Sequence, residues 1–195
     1  MYFTILAENL IKEAREGKFK IAFAESCTGG LIGATVTKIP GSSDVFNGSA
    51  VVYSNASKHD ILGVKKNTLK KFGAVSAECA LEMAKGALKI YNADFALSVT
   101  GIAGPDGGTD LKPVGTVYFG IASRLFDNEK NYEFRKNFNA GDRANIHELT
   151  VDEEQNYAFR KNFPNQDRDA VRELTLETAL RELRLVVRDF NREAD

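Results

Sequence analysis

The chain has 195 residues, 43% hydrophobic and 27% charged, with a formal net charge of −1. That is enough apolar material for one domain with a proper core, and the near-neutral charge offers no field for nucleic acid or an anionic membrane surface. No apolar run is long enough to span a bilayer. The two cysteines, Cys27 and Cys79, make no disulfide framework, and with only His59 and His147 beside them no metal-ligand spacing appears.

In chain order, Met1 to Glu16 places Phe3, Leu6, Leu10 and Ala14 on one helical face, with Glu8, Lys12 and Glu13 off it. This is the pattern of a surface helix. A secretory signal would need a basic start and a continuous apolar block, so a cytoplasmic setting is expected. Phe19 to Phe23 alternates like a strand, and Leu31 to Val36 reads as the opening of a helix. Between them stands Ala24-Glu25-Ser26-Cys27-Thr28-Gly29-Gly30. A serine on a strand-to-helix turn sits among backbone N–H groups that can hold an anion or a developing oxyanion. The plainer reading of the same residue is a helix cap, the usual role of Ser and Thr at such turns.

Ile39-Pro40-Gly41-Ser42-Ser43 breaks the pattern, and Asn47 to Tyr53 reads as a second strand. Asn55 to Leu62 starts a short helix, capped by Ser54 or Asn55 and closed by Gly63; Thr68 to Gly73 is a short turn or helix. Ser76 caps a longer helix through Tyr91, with Cys79, Ala80, Met83, Ala84, Ala87 and Leu88 on its apolar face. Ala93 to Thr100 is a third strand, apolar enough to be central. The glycine-rich loop Gly101-Ile102-Ala103-Gly104-Pro105-Asp106-Gly107-Gly108 comes next, unlike a dinucleotide fingerprint because its glycines do not open a helix after the first strand. Val117 to Ala122 is a fourth strand. Strands alternating with helices predict a three-layer α/β/α sandwich whose ligands collect at strand ends.

The remainder carries an internal duplication inside a single domain, about 127–150 against 152–175. Asn131-Tyr132-Glu133-Phe134-Arg135-Lys136-Asn137-Phe138 recurs 25 residues later as Asn156-Tyr157-Ala158-Phe159-Arg160-Lys161-Asn162-Phe163. Asp142-Arg143 matches Asp167-Arg168, and Glu148-Leu149-Thr150 matches Glu173-Leu174-Thr175. Each copy reads as a strand, a turn and a helix start. Only the second continues into a long amphipathic helix, so the second is expected to complete the sheet. A solenoid needs about three copies, so this is one local duplication, with an idle inserted copy as the plain alternative.

Taken together and in this order, Ala24 to Gly30, Tyr53-Ser54-Asn55 with Lys58, Gly73-Ala74-Val75-Ser76, Gly101 to Gly108, and Lys112-Pro113-Val114-Gly115-Thr116-Val117 resemble the CinA C-terminal domain, the nicotinamide-nucleotide amidase family. The resemblance runs from near residue 3 to about 125 and resumes in the terminal strand and helix. It implies conversion of nicotinamide mononucleotide to nicotinic acid mononucleotide with release of ammonia, as in pyridine nucleotide salvage. It also implies a mixed, mostly parallel sheet containing an antiparallel strand, and a homo-oligomer; from the duplication itself, the first copy's strand and helix are expected as an extra unit at the sheet edge or in exchange with a neighbouring chain. The large N-terminal domain of longer relatives is expected to be missing here, and with it any pyrophosphatase activity.

An amide carbonyl is a poor electrophile, so the reaction needs an activated nucleophile. Ser26 is the candidate. The resemblance gives Lys58 the role of base, a known variant of the serine triad. A lysine is a base only when neutral, which takes a downward shift of about three units, or about 4 kcal/mol; burial and a nearby cation supply such shifts. Without the resemblance, Lys58 reads as a solvated helix lysine. The Tyr53 hydroxyl either relays a proton or orients the lysine, or Tyr53 is a sheet-edge aromatic. Cys27 reads better as a small buried thiol than as a nucleophile. For a substrate with one phosphate and a cationic pyridinium, the candidate binding residues are Thr28, Gly29, Gly30, Thr100, Gly101 and one arginine, Arg143 or Arg168. No metal or organic cofactor is called for. The alternative function is a catalytically inactive nucleotide-binding regulatory module of the same fold.

Overall fold

The computed structural model describes residues 2–126 and 147–192. Helix α1 (Tyr2–Glu16) turns the predicted Leu6, Leu10 and Ala14 inward, with Ala7 and Ile11 widening the stripe and Phe3 packed partly buried at its end. Strand β1 (Ile21–Glu25) leads into the short α2 (Leu31–Val36), then β2 (Phe46–Val51), α3 (Asn55–Leu62), α4 (Lys66–Lys71) and α5 (Ala77–Ile90). A reciprocal capping box between Ser54 and Ser57 starts α3, and Ser76 accepts the Cys79 N–H at the start of α5. Strands β3 (Phe95–Gly101), β4 (Thr116–Ser123), β5 (His147–Val151) and β6 (Tyr157–Asn162) precede the long α6 (Arg168–Arg192).

The sheet runs β2-β1-β3-β4-β6-β5. β1 is parallel to both β2 and β3, whereas β3–β4, β4–β6 and β6–β5 are antiparallel. The expected mixed sheet is therefore present. It is mostly parallel only in strand direction, with β1, β2, β3 and β6 pointing one way. Among neighbour pairs the antiparallel ones prevail, because β4 follows β3, and β6 follows β5, by a reversal of the chain rather than through a crossover helix.

Strand alternation sorts the two faces by size. Ile21, Phe23, Phe95, Leu97, Val99, Val117, Phe119, Ile121 and Phe159 point toward α1, α2 and α6. Ala22, Ala24, Ala50 and Ala96 point the other way, toward Leu62 of α3 and Cys79, Met83 and Ala87 of α5. The small face lets α5 sit close to the sheet. The Ser98 hydroxyl donates to the Ala80 carbonyl at 2.6 Å, and a side chain at Gly120 would meet that same oxygen at 2.4 Å. Parallel β1, β2 and β3 bring their C-terminal ends to one edge, and β6, which runs the same way, delivers α6 there as well.

The second copy of the duplicated segment supplies β6 and α6, as its longer apolar helix face predicts. Phe159 stacks on Phe119 with ring centroids 5.0 Å apart. The Asn131–Phe138 run and Arg143 lie outside the described residues. One expectation is corrected: Glu148-Leu149-Thr150, read as a helix start, lies in strand β5. Next come β-branched Val151 and a tight turn in which the Asp152 carboxylate accepts the N–H groups of Glu154 and Asn156. That turn folds the chain back as a hairpin before any helix can propagate. The second strand also ends earlier than its pattern suggests, at Val51, leaving Tyr53 beyond it.

Candidate active site

Three strand ends and the start of α6 enclose a cavity of about 210 Å³ lined by Ser26, Cys27, Tyr53, Lys58, Ala74, Val75, Thr100, Gly101, Ala103 and Arg168. Ser26 directly follows β1, and its N–H donates to the Val99 carbonyl of β3 at 3.1 Å, which pins it to the sheet edge. The turn behind it passes through two consecutive left-handed residues, Gly29 at φ 62° and Gly30 at φ 97°, a path that glycine takes without a Cβ penalty.

Lys58 lies on α3 and is 1% exposed. Its Nζ is 2.9 Å from Ser26 Oγ, 2.8 Å from the Val52 carbonyl and 3.3 Å from the Tyr53 carbonyl. No ion pair among the described residues involves it. Burial pushes its amine below the ordinary lysine value of 10.5. The three contacts also fit a neutral amine. Carbonyls only accept, so two N–H bonds go to Val52 and Tyr53, and the lone pair faces the Ser26 hydroxyl. Because the folded chain holds this proton less tightly than the unfolded one, stability from this group rises with pH between its folded value and 10.5.

Cys27 lines the same cavity, but burial drives its thiol up to about 12, so it stays protonated near neutrality. His59 points away, with Nδ1 2.8 Å from the Val64 carbonyl. The Tyr53 hydroxyl does not meet Lys58. It accepts from Arg168 Nη2 at 2.9 Å on a ring that is 62% exposed, while the backbone carbonyl of Tyr53 holds the lysine. Arg168 Nη1 donates to the Gly104 carbonyl at 2.6 Å, so this guanidinium joins the glycine-rich loop to Tyr53 at the cavity rim. Thr100 and Gly101 line the cavity, and the Thr100 hydroxyl donates to the Ala74 carbonyl at 2.8 Å.

Thr28, Gly29 and Gly30 are engaged elsewhere. The Thr28 hydroxyl and the Gly30 N–H donate to the Glu25 carboxylate, and the Gly29 N–H donates to the Ser26 carbonyl. Residues that reasoning from sequence left without a role are Ala74 and Val75, which wall the cavity with Ala103 of the glycine-rich loop, and Lys112, whose Nζ donates to the Phe72 and Val75 carbonyls and ties that loop to the 72–75 loop. The Gly73-Ala74-Val75-Ser76 motif is the sequence signal for Ala74 and Val75, and the Lys112-Pro113 motif for Lys112. No helix among the described residues is long and apolar enough to cross a membrane.

The fold and cavity define a three-layer α/β/α domain with a buried serine–lysine contact at the parallel strand ends. The CinA C-terminal domain pattern matches residues 4–154, and the chain belongs to that family. It is 50% identical over 147 residues to a CinA-like protein of Fervidobacterium nodosum, covering 75% of this chain and 34% of the relative. It is 51% identical over 146 residues to a putative competence-damage inducible protein of Caldicellulosiruptor bescii, covering 75% and 34%. The chain thus spans about a third of the length of these curated relatives. Among solved structures it resembles the competence/damage inducible protein CihA of Agrobacterium tumefaciens, with a TM-score of 0.77 and 35% identity over 95% of this chain and 94% of that one. A CinA superfamily protein of Klebsiella pneumoniae also has a TM-score of 0.77, at 26% identity over 95% and 97%.

Proposed function

We propose that this domain is an amidase that uses Ser26 as nucleophile and Lys58 as general base, with nicotinamide mononucleotide as substrate. The observation that carries the reading is the 2.9 Å contact between a serine hydroxyl and a buried lysine with no carboxylate partner among the described residues. A lysine so placed shifts toward the neutral form that a base requires. The choice of substrate rests on the family motifs around residues 24–30, 53–58 and 101–117.

The steps build on that contact. Ser26 Oγ bonds to the carboxamide carbon as its proton passes to Lys58 Nζ. The tetrahedral oxyanion collapses, the C–N bond breaks, and Lys58 returns the proton to the departing ammonia. Water then attacks the ester carbon, Lys58 accepts its proton, and the C–O bond to Ser26 breaks to give the nicotinate carboxylate and regenerate the hydroxyl. Val52 and Tyr53 carbonyls hold the lysine in place throughout. The cavity takes the carboxamide-bearing ring. The ribose phosphate extends to the rim, where Arg168 trades its present partners for the phosphate oxygens.

The test is ammonia release from nicotinamide mononucleotide by the whole chain and by Ser26→Ala. The parent is expected to turn over, and the variant to lose at least about 10³-fold in rate with the fold intact, as when a triad member is removed. Turnover retained by Ser26→Ala overturns the assignment. Binding without product in the parent points instead to an inactive nucleotide-binding module.

A further inference from the structure

Glu25 closes β1 with no exposed surface, and both its oxygens are fully engaged. Oε2 accepts from the Thr28 hydroxyl at 2.7 Å and from the Gly30 and Ile32 N–H groups at 3.0 Å each. Oε1 accepts from the Gly33 N–H and the Ser49 hydroxyl, both at 2.8 Å. The side chain reaches forward across the turn that carries Ser26 and closes it against its own residue of origin.

Each buried N–H of that turn needs an acceptor, and most have a strong one. The Ser26 N–H goes to the Val99 carbonyl, Gly29 to Ser26 and Leu31 to Thr28. Gly30, Ile32 and Gly33 go to Glu25. The two that remain belong to Cys27 and Thr28, which donate to none of these acceptors and so are left for an incoming oxyanion. Cys27 itself walls the cavity beside Ser26.

We infer that Glu25 is the positioning residue of the nucleophile turn, fixing Ser26 and reserving the Cys27 and Thr28 N–H groups for the oxyanion. It acts through the turn and touches no substrate. A consequence is that the substrate phosphate is not read by the N–H groups of Gly30, Ile32 and Gly33, because an internal carboxylate already occupies them; the phosphate is read at the Arg168 rim. The inference rests on the amidase reading for its use of an oxyanion, so its test employs a reaction that does not depend on the natural substrate.

The probe is phenylmethylsulfonyl fluoride, monitored by intact mass. Ser26 Oγ bonds to sulfur, the S–F bond breaks, fluoride departs and the hydroxyl proton passes to Lys58. Glu25→Gln keeps the size of the side chain but turns an amide N–H₂ toward donors. The folded variant is expected to label about 10²-fold more slowly than the parent. With nicotinamide mononucleotide, kcat should fall by a similar factor while KM changes by less than about threefold, the pattern of lost transition-state stabilisation. Glu25→Asp, one methylene shorter, should recover part of the rate.

Labelling of Glu25→Gln at the parent rate overturns the inference, as does a rise in KM with kcat unchanged. Where Glu25→Gln does not fold, Ser49→Ala removes one donor from outside the turn and is expected to slow labelling about fivefold, the worth of one hydrogen bond; an unchanged rate overturns the inference. A parent that labels but releases no ammonia refutes the amidase reading alone, and the comparison of labelling rates still decides the role of Glu25. A parent that does not label refutes both.

Discussion

The two halves of the sheet are built on different rules. In the parallel half, β2-β1-β3, each strand end carries its own short motif, and most backbone donors of the nucleophile turn are assigned internally to Glu25, Ser26, Thr28 and Val99. In the antiparallel half, β4-β6-β5, one tripeptide occurs twice and takes two shapes. Glu148-Leu149-Thr150 is an edge strand, whereas Glu173-Leu174-Thr175 is helical. The residues after the first copy, and those on both sides of the second, decide the outcome: the helix is already under way from Arg168, where Asp167 accepts the Ala170 N–H. Val151 and the Asp152 turn send the first back as a hairpin, and Leu176, Ala179, Leu180 and Leu183 give the second a face to bury. Local sequence governs where side chains satisfy the backbone in place; context governs where they do not.

The largest effect is expected where the copies differ inside the sheet. Ala158 is fully buried against Ala77, Ala80, Leu81 and Tyr118, and the matching residue of the first copy is Glu133. A carboxylate there would be buried without a partner, so this one position favours the second copy for the β6 slot. Ala158→Glu should cost about 4 kcal/mol in urea unfolding, the penalty of an uncompensated buried charge. A loss below about 1 kcal/mol would remove the reason for the choice between copies.

The next effect concerns the arginine that each copy offers. Arg168 joins Tyr53 to Gly104 at the cavity rim. Under the proposed function, Arg168→Ala should raise KM for nicotinamide mononucleotide at least about tenfold, the worth of a charge-assisted hydrogen bond. Arg143→Ala should leave KM within about twofold. Steady-state kinetics on the two variants separates them, and the reverse order would assign the phosphate to the first copy.

The smallest effect sharpens the contrast between the identical tripeptides. Both glutamates are exposed, but Glu148 accepts from the Tyr118 hydroxyl at 2.9 Å and pairs with Arg160 at 2.9 Å, whereas Glu173 stands on the solvent side of α6. Glu148→Ala should lower stability by about 1 kcal/mol and Glu173→Ala by less than about 0.5 kcal/mol in the same unfolding assay.

Much of this organisation is legible in the sequence. The apolar periodicities locate α1, α5 and α6, and the strand alternation locates β1, β3 and β4 close to their observed bounds. The serine and the lysine are legible as motifs 32 positions apart, yet their contact is not, since it depends on the parallel pairing of β1 with β2. Glu25 is visible but mute, because its partners include Ser49 on another strand. The Tyr53 pattern points to its hydroxyl, and the structure turns that group to Arg168 and gives Lys58 the backbone carbonyl instead, a choice that no side-chain pattern encodes. Glu148 misleads as a helix start because tripeptide identity with the second copy carries no information about the turn at Asp152.

The central claim is that Lys58 serves as a neutral base beside Ser26. Its amine is pushed below 10.5 by burial, so ammonia release from nicotinamide mononucleotide should rise with pH and reach half its maximum below that value. Lys58→Arg, whose guanidinium stays charged at every accessible pH, should show no such rise and no turnover above background. Ammonia released by Lys58→Arg at a rate and with a pH profile matching the parent would contradict the account.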